Sequence, residues 1–291
     1  MPAVAFLTME DMSGFFAYDH LAIPCLAEMG IDVVMVPWQT KNVDWRQYDM
    51  VVIRSPWDYQ QSPSEFLQVL ENIVASGTRL QNSLDVVRWN IHKSYLRDLE
   101  KQQTPIVPTI WSTGVSVSRL KEFIPQFEPD GFVIKPAIGA NADDTFHLDS
   151  NSSNDLLLKI AGLFQNRELM IQPFLKSIVT LGEYSLFYFD SQYSHAILKR
   201  PASGDFRVQE EHGGTIESVT PPQDIEQVAK HAIAAIPGKT LYARADVVRL
   251  SDQTPVVIEL ELIEPSLYLA HATTAPQHFA TAIVNALHSY Y

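Results

Sequence analysis

Short apolar runs at residues 4–7, 31–37 and 50–54 alternate along the chain with segments 18–29 and 62–76, in which apolar residues recur at helical spacing. That order predicts β/α alternation over the first 80 residues, and therefore a parallel sheet with helices packed against it. A helix is expected over 89–102, with Asn90 as its N-cap and Thr104-Pro105 as its stop, then a strand at 106–108. Strands at 131–136, 169–174, 182–190 and 193–199 follow, with a helix at 153–165 between the first two. Helices at 223–235 and 274–289 bracket a final pair of strands across 241–261, separated by turn residues 251–255.

Those last two strands carry polar residues two apart: Arg244 and Asp246 on the first, Glu259 and Glu261 on the second. Residues two apart on a strand share a face. Neighbouring strands with aligned faces would bring three carboxylates beside one guanidinium. Their mutual repulsion calls for cations, and an all-oxygen donor set suits Mg²⁺ bound together with phosphates. The same alternation also fits two solvent-facing polar rows on an ordinary hairpin.

Composition narrows the partners. With 46 % hydrophobic and 19 % charged residues, the 291-residue chain reads as a soluble globular protein of two or three small domains. A net charge of −13 argues against nucleic-acid or anionic-membrane partners, which call for a basic face. The start, MPAVAFLTMED, reads as a first strand rather than a signal peptide, and no apolar run approaches the length of a membrane span. The expected location is the cytoplasm. A single cysteine, Cys25, excludes an intramolecular disulfide and fits a buried apolar position. His147, His195, His212, His271 and His278 lack ligand spacing, and Tyr184 and Phe187 read as core.

Candidate chemistry lies elsewhere. The third strand runs into Arg54-Ser55-Pro56-Trp57-Asp58-Tyr59, placed where ligands bind open α/β sheets; the alternative is a turn whose rings cover the sheet edge. Lys93 lies in the first turn of its expected helix, against the helix dipole, as either an anion ligand or a solvated lysine. Lys135 ends a strand ahead of the small, turn-prone stretch IGANADDTF containing Gly139, whose backbone N–H groups could cradle phosphate.

In this order the pieces resemble the ATP-grasp superfamily of carboxylate–amine ligases over nearly the whole chain. The resemblance implies an α/β chain with an α+β C-terminal part: an N-terminal parallel α/β domain (1–88), then two α+β subdomains (89–174 and 175–291) clasping ATP. It implies that Lys93 and Lys135 contact nucleotide phosphates near Gly139. Gln172, Phe174 and Leu175 would meet adenine, with Gln172 standing where the superfamily usually has Glu, and Glu183 would bind the ribose. The Arg-x-Asp, thirteen-residue step and Glu-x-Glu of Arg244, Asp246, Glu259 and Glu261 resemble D-alanine–D-alanine ligases, which carry Asn at the last position. Asp246, Glu259 and Glu261 are thereby the implied ligands of two Mg²⁺ ions, replaceable by Mn²⁺. Asp205-Phe206-Arg207 with Gly213-Gly214 resembles prokaryotic glutathione synthetases and ribosomal-protein glutamate ligases. Arg207 would touch substrate or phosphate, Lys199 the terminal phosphates, and Arg244 an oxyanion. The phosphate loop departs from the pattern in carrying Asp143 and Asp144. The segment 54–59 resembles the branch that includes the cyclo-ligase of D-cycloserine formation, making Arg54, Trp57, Asp58, Tyr59 and, from the last domain, Ser266 candidate substrate contacts.

The implied activity is ATP-dependent joining of a small carboxylate, such as an amino acid or short peptide, to an amine through an acyl phosphate. A nucleotide-binding regulatory protein of the same fold and a phosphotransferase without an amine acceptor are the competing readings. A homodimer is the default assembly for such an enzyme.

Overall fold

The computed structural model describes residues 1–289. Strands β1 (Ala3–Thr8), β2 (Asp32–Pro37), β3 (Met50–Ser55) and β4 (Arg79–Gln81) form a parallel sheet in the order β2-β1-β3-β4. Every residue of β3 is buried, because helices cover both faces. Val4, Phe6, Met50 and Val52 face α1 (Ala22–Glu28) and the C-terminal helix α9 (Ala275–His288), whereas Ala5, Leu7, Val51 and Ile53 face α2 (Pro63–Ala75) and α3 (Leu84–Asn90). Cys25 is half-buried against the first of these clusters.

A second sheet, antiparallel in the order β5-β8-β6-β7, consists of β5 (Ile110–Thr113), β6 (Phe132–Pro136), β7 (Phe146–Leu148) and β8 (Glu168–Pro173). Phe132 and Ile134 turn toward α5 (Val117–Phe123) and α6 (Asn154–Leu163), and the intervening Val133 and Lys135 face the other way.

The third sheet is antiparallel in the order β11-β10-β9-β12-β13: β9 (Glu183–Phe189), β10 (Gln192–Arg200), β11 (Thr215–Ser218), β12 (Tyr242–Arg249) and β13 (Pro255–Glu261). A short α7 (Lys176–Thr180) leads into it, and α8 (Gln223–Ala234) covers one face through Ile225, Val228 and Ala232. The opposite face divides in two. Phe187, Phe189, Ile197 and Tyr242 join the core built on α9, while Glu183, Ser185, Lys199, Arg244 and Asp246, further along the same strands, carry polar groups. Among the described residues no helix is long and apolar enough to cross a membrane.

Two expected elements differ. The single helix over 89–102 is broken: Asn90 ends α3, and α4 (Tyr95–Lys101) starts after a four-residue break. Asn90 is not an N-cap, because its side-chain amide bonds the backbone of Leu260 and Leu262 instead. Residues 106–108 make only an isolated parallel bridge, Ile106 to Val257, since prolines at 105 and 108 cannot donate to a ladder.

Candidate active site

The charged half of the third sheet, the inner face of the second and the C-terminal end of the first line a cavity open to solvent. Lys93, Lys135, Gly139, Gln172, Phe174, Leu175, Glu183, Lys199, Arg207, Arg244, Glu259, Glu261, Trp57 and Ser266 all line it. Residues spread over more than 200 positions of chain therefore converge on one space.

Strand register does much of this. Lys199 pairs across the ladder with Glu183, Asp246 with Ser185 and with Glu259, and Arg244 with Glu261. Lys199 Nζ lies 2.7 Å from Glu183 Oε1 and 3.6 Å from Asp246 Oδ2. Ser185 Oγ donates to Asp246 at 2.5 Å. The Arg244 guanidinium donates to Asp246 through Nε and Nη2, at 3.0 and 2.8 Å, and also to Glu261. Glu259 accepts from Lys93.

Two of the three expected carboxylates, Asp246 and Glu261, thus stand beside Arg244 and the third, Glu259, beside Lys93, so each is held by a cation. Among the described residues no three acids stand close enough to form a metal cluster. Asp246 is 2 % exposed and sits behind the wall rather than on it. The donor set nonetheless fits Mg²⁺: its groups are all oxygens, and Glu259 and Glu261 face the cavity with Asp246 opposite. Burial raises the Glu261 pKa to about 8, with Asp246, Glu259 and Glu264 adding to the shift and Arg244 opposing it. Burial acts against Glu259 too, but Lys93 and Lys135 outweigh it and hold its pKa below the usual value. Divalent charge would offset this crowding.

Lys93 reaches the cavity from the break between α3 and α4, where its backbone N–H donates to Ala137 O at 2.8 Å. Burial works against its charge, yet Glu259, helped by Glu261 and Glu264, keeps its pKa above the usual lysine value. Lys135 is the opposite case. Burial, with Lys93 adding to it, lowers its pKa, and among the described residues no carboxylate lies within ion-pairing distance.

The loop after β6 holds Asn141, Ala142 and Asp144 at φ of 54°, 56° and 53°. These left-handed conformations are unfavourable outside glycine and mark a backbone constrained by its surroundings. Asn141 Nδ2 donates to Trp57 O at 3.0 Å, and Gln60 Nε2 to Asp143 Oδ2 at 3.1 Å, so the first domain holds the loop. Asp144 pairs with Arg167 at 2.6 Å and is not on the cavity wall. One of the two loop acids is thus directed away from any bound phosphate.

At the far end, Gln172 Nε2 donates to Thr109 Oγ1 at 2.9 Å, and Phe174 stacks on His147 with ring centroids 4.0 Å apart. Phe206 meets both rings from the loop that carries Arg207. Arg207 is tied to Asp205 at 2.7 Å, which holds the Asp205 carboxyl well below its usual pKa. Gly214 is required in this loop, since a Cβ there would lie 2.1 Å from Val208 O.

The first-domain candidates divide. Trp57 is on the wall, its Nε1 donating to Glu264 O at 2.7 Å, and Ser266 joins it. Arg54 is not available to substrate: it is fully buried, paired with Asp19 at 3.0 Å, bonded to Pro265 O at 2.9 Å and flanked by the Tyr242 and Phe279 rings. Asp58 lies off the wall and accepts from Trp38 Nε1 at 2.6 Å. Tyr59, 3 % exposed, is also behind the wall, its hydroxyl donating to the Glu264 carboxylate. The polar run at the strand end supplied one cavity residue, Trp57, and three that bond elsewhere, Arg54, Asp58 and Tyr59, and what separates them is the side-chain partner each finds in the folded chain.

Glu264 and Tyr268 line the cavity without having been expected there. For Glu264 a signal existed, in the spacing of a third acid three positions beyond Glu261. His195, which lacked ligand spacing, is a core residue: it stacks on Phe187 at 4.3 Å, and burial pushes its pKa down to about 4.

Comparison with known proteins gives a consistent result. Residues 4–82 match the family model of the D-cycloserine synthetase DcsG N-terminal domain. Over 277 residues the chain is 31 % identical to the cycloserine biosynthesis protein DcsG of Streptomyces lavendulae, covering 89 % of this chain and 90 % of that protein. The crystal structure of D-cycloserine synthetase DcsG superposes with a TM-score of 0.86 at 28 % identity, covering 98 % of this chain and 99 % of the other. D-alanine–D-alanine ligase from Bacillus anthracis gives 0.69 at 16 % identity over 99 % and 97 %. The ATP-grasp ligase PsnB, complexed with minimal precursor, Mg and ADP, gives 0.63 at 13 % over 97 % of each chain. The fold is ATP-grasp.

Proposed function

The chain belongs to the family of the cycloserine biosynthesis protein DcsG, and we propose that this ATP-grasp ligase closes a C–N bond between the carboxylate and an amine of one small amino-acid-like substrate. The observation that carries this reading is the cavity wall itself: four cations, Lys93, Lys135, Lys199 and Arg244, surround Glu259 and Glu261. Phosphoryl transfer needs charge neutralisation and positioning more than covalent help, and this wall offers both. The name of the DcsG relative, a synthetase of a cyclic amide, supports closure within one molecule.

A carboxylate does not react with an amine until its oxygen becomes a leaving group, and ATP supplies the phosphoryl group for that. In this reading Lys93, Lys135 and the 139–145 loop bind phosphates. Gln172, Phe174 and Leu175 receive the base, and Glu183 the ribose. Asp246, Glu259 and Glu261 hold Mg²⁺, in two ions and with Mn²⁺ as a substitute. Lys199 approaches the terminal phosphate and Arg207 the substrate end. Arg244, already oriented by Asp246 and Glu261, stabilises the oxyanion formed on amine attack. The three sheets support a division at 1–88, 89–174 and 175–291, and dependence on ATP supports a cytoplasmic setting.

The test is ADP release by the purified protein with Mg²⁺-ATP across amino acids, ureido and hydroxyamino acids and short peptides, with mass spectrometry of any product. A cyclised amide is the expected product. Acyl phosphate trapped by hydroxylamine without any amide would support the phosphotransferase instead, and nucleotide binding with no stimulation by any compound would support the regulator.

A further inference from the structure

Charges on the cavity wall pair off unevenly. Glu183 has Lys199, Glu259 has Lys93 and Glu261 has Arg244. Asp143 and Glu211 are exposed, so water screens them. Glu264 differs from all of these: it is half-buried on the wall and makes no ion pair among the described residues. Its side-chain partner is the Tyr59 hydroxyl, and the nearby Lys93 is already bonded to Glu259.

The backbone around Glu264 is fixed from the first domain. Trp57 Nε1 donates to Glu264 O at 2.7 Å, and Arg54 Nη2 to the next carbonyl, Pro265 O, at 2.9 Å. With Tyr59 holding its side chain as well, the carboxylate is presented to the cavity on a rigid support. Desolvation raises its pKa to about 7 against the opposing charge of the nearby Lys93. Lys135, at the phosphate-loop end, is the matching cation without an acid.

We infer that Glu264, held by Tyr59, is a specificity-determining residue that binds a protonated amine of the substrate. N-acylated or des-amino compounds are then rejected because they would leave the half-buried carboxylate unpaired. This rests on the ligase reading for the identity of the cavity but not for the charge argument, so the two are tested separately.

Binding of D-cycloserine and D-serine, each against its N-acetyl derivative, is measured by calorimetry on the full chain with Mg²⁺-ADP, for wild type, Glu264→Gln and Tyr59→Phe. Wild type is expected to prefer the free amine by at least about tenfold, the scale of one charge-assisted hydrogen bond. Glu264→Gln brings the ratio close to unity while ADP affinity stays within about twofold. Tyr59→Phe keeps the ring and lowers the ratio less, giving a second readout should the first variant fold poorly. Retained preference in Glu264→Gln, no preference in wild type, or a loss confined to Mg²⁺ or ADP affinity would each overturn the assignment. ADP release judges the ligase reading on its own. Turnover with the preference intact in Glu264→Gln sinks Glu264 and leaves the ligase standing; loss of the preference without turnover by any compound does the reverse.

Discussion

Asn90 acts as a side-chain rung on the outer edge of β13. Its Nδ2 donates to Leu260 O at 2.8 Å, its Oδ1 accepts from Leu262 N at 3.0 Å, and the Tyr95 hydroxyl accepts from Leu260 N at 2.8 Å. These contacts flank Glu261 and satisfy a strand edge that no neighbouring strand pairs. Replacing Asn90 by Ala leaves two buried backbone groups without partners, at about 1–3 kcal/mol each. Asn90→Ala is expected to lower the urea midpoint and to weaken Mg²⁺-dependent nucleotide binding, since both Glu259 and Glu261 depend on this edge. Unchanged metal dependence would show that β13 keeps its geometry without Asn90.

Arg54 and Asp19 form a buried pair beneath the site, with side-chain exposures of 0 % and 2 %. Removing the arginine strands a carboxylate in the core, which costs about 3–5 kcal/mol. Burial already raises the pKa of Asp19, so protonation relieves part of that cost at low pH. The stability deficit of Arg54→Met against wild type should therefore shrink from pH 7 to pH 5 in urea titrations. A variant of normal stability with a raised substrate KM would restore Arg54 as a substrate contact.

Arg244 has a structural task besides its proposed catalytic one, because its guanidinium is the cation shared by Asp246 and Glu261. Arg244→Ala confounds the two roles, whereas Arg244→Lys keeps the charge and loses the planar fork. We expect Arg244→Lys to lower kcat by about 100-fold, the scale of a lost oxyanion donor, with a smaller change in the KM for ATP. An effect confined to the KM for ATP would assign Arg244 to nucleotide binding.

Burial raises the pKa of Glu261 to about 8 and of Glu264 to about 7, from 4.5. The native state therefore binds more protons than the unfolded chain between about pH 4.5 and 8, and these two groups make stability fall as pH rises through that window. Urea midpoints of the metal-free protein should decline more steeply across it than those of Glu261→Gln. Identical slopes would place the Glu261 carboxylate in its ordinary range.

Asp144 and Arg167 pair at 2.6 Å, with side-chain exposures of 36 % and 42 %. An exposed pair of this kind is worth about 0–1 kcal/mol. Asp144→Ala should leave the melting temperature and the KM for ATP nearly unchanged, as enzyme assays and thermal melts would show. A tighter KM would mean that Asp144 opposes the phosphates despite its salt bridge.

Much of the fold was legible in the order of apolar runs. Buried parallel strands need continuous hydrophobic stretches and hairpins need alternation, so β1, β3, β9, β10, β12 and β13 leave plain traces. The Arg-x-Asp and Glu-x-Glu spacings also fix which residues share a strand face, whatever the rest of the chain does.

What tertiary structure alone decided is which polar residues meet. Asn90 looked like a helix cap because its nearest neighbours in sequence are helical, yet its partners are about 170 positions away on β13. Arg54 and Trp57 belong to one polar run, but Arg54 points into the core beside Asp19 while Trp57 faces the cavity. Glu264 acquires its meaning from having no ion pair of its own among the described residues, because the nearby Lys93 is bonded to Glu259, a property of three-dimensional neighbours. Sequence determines periodicity and charge because these depend on residues a few positions apart. Burial and pairing depend on contacts that form only when the three sheets close around one cavity.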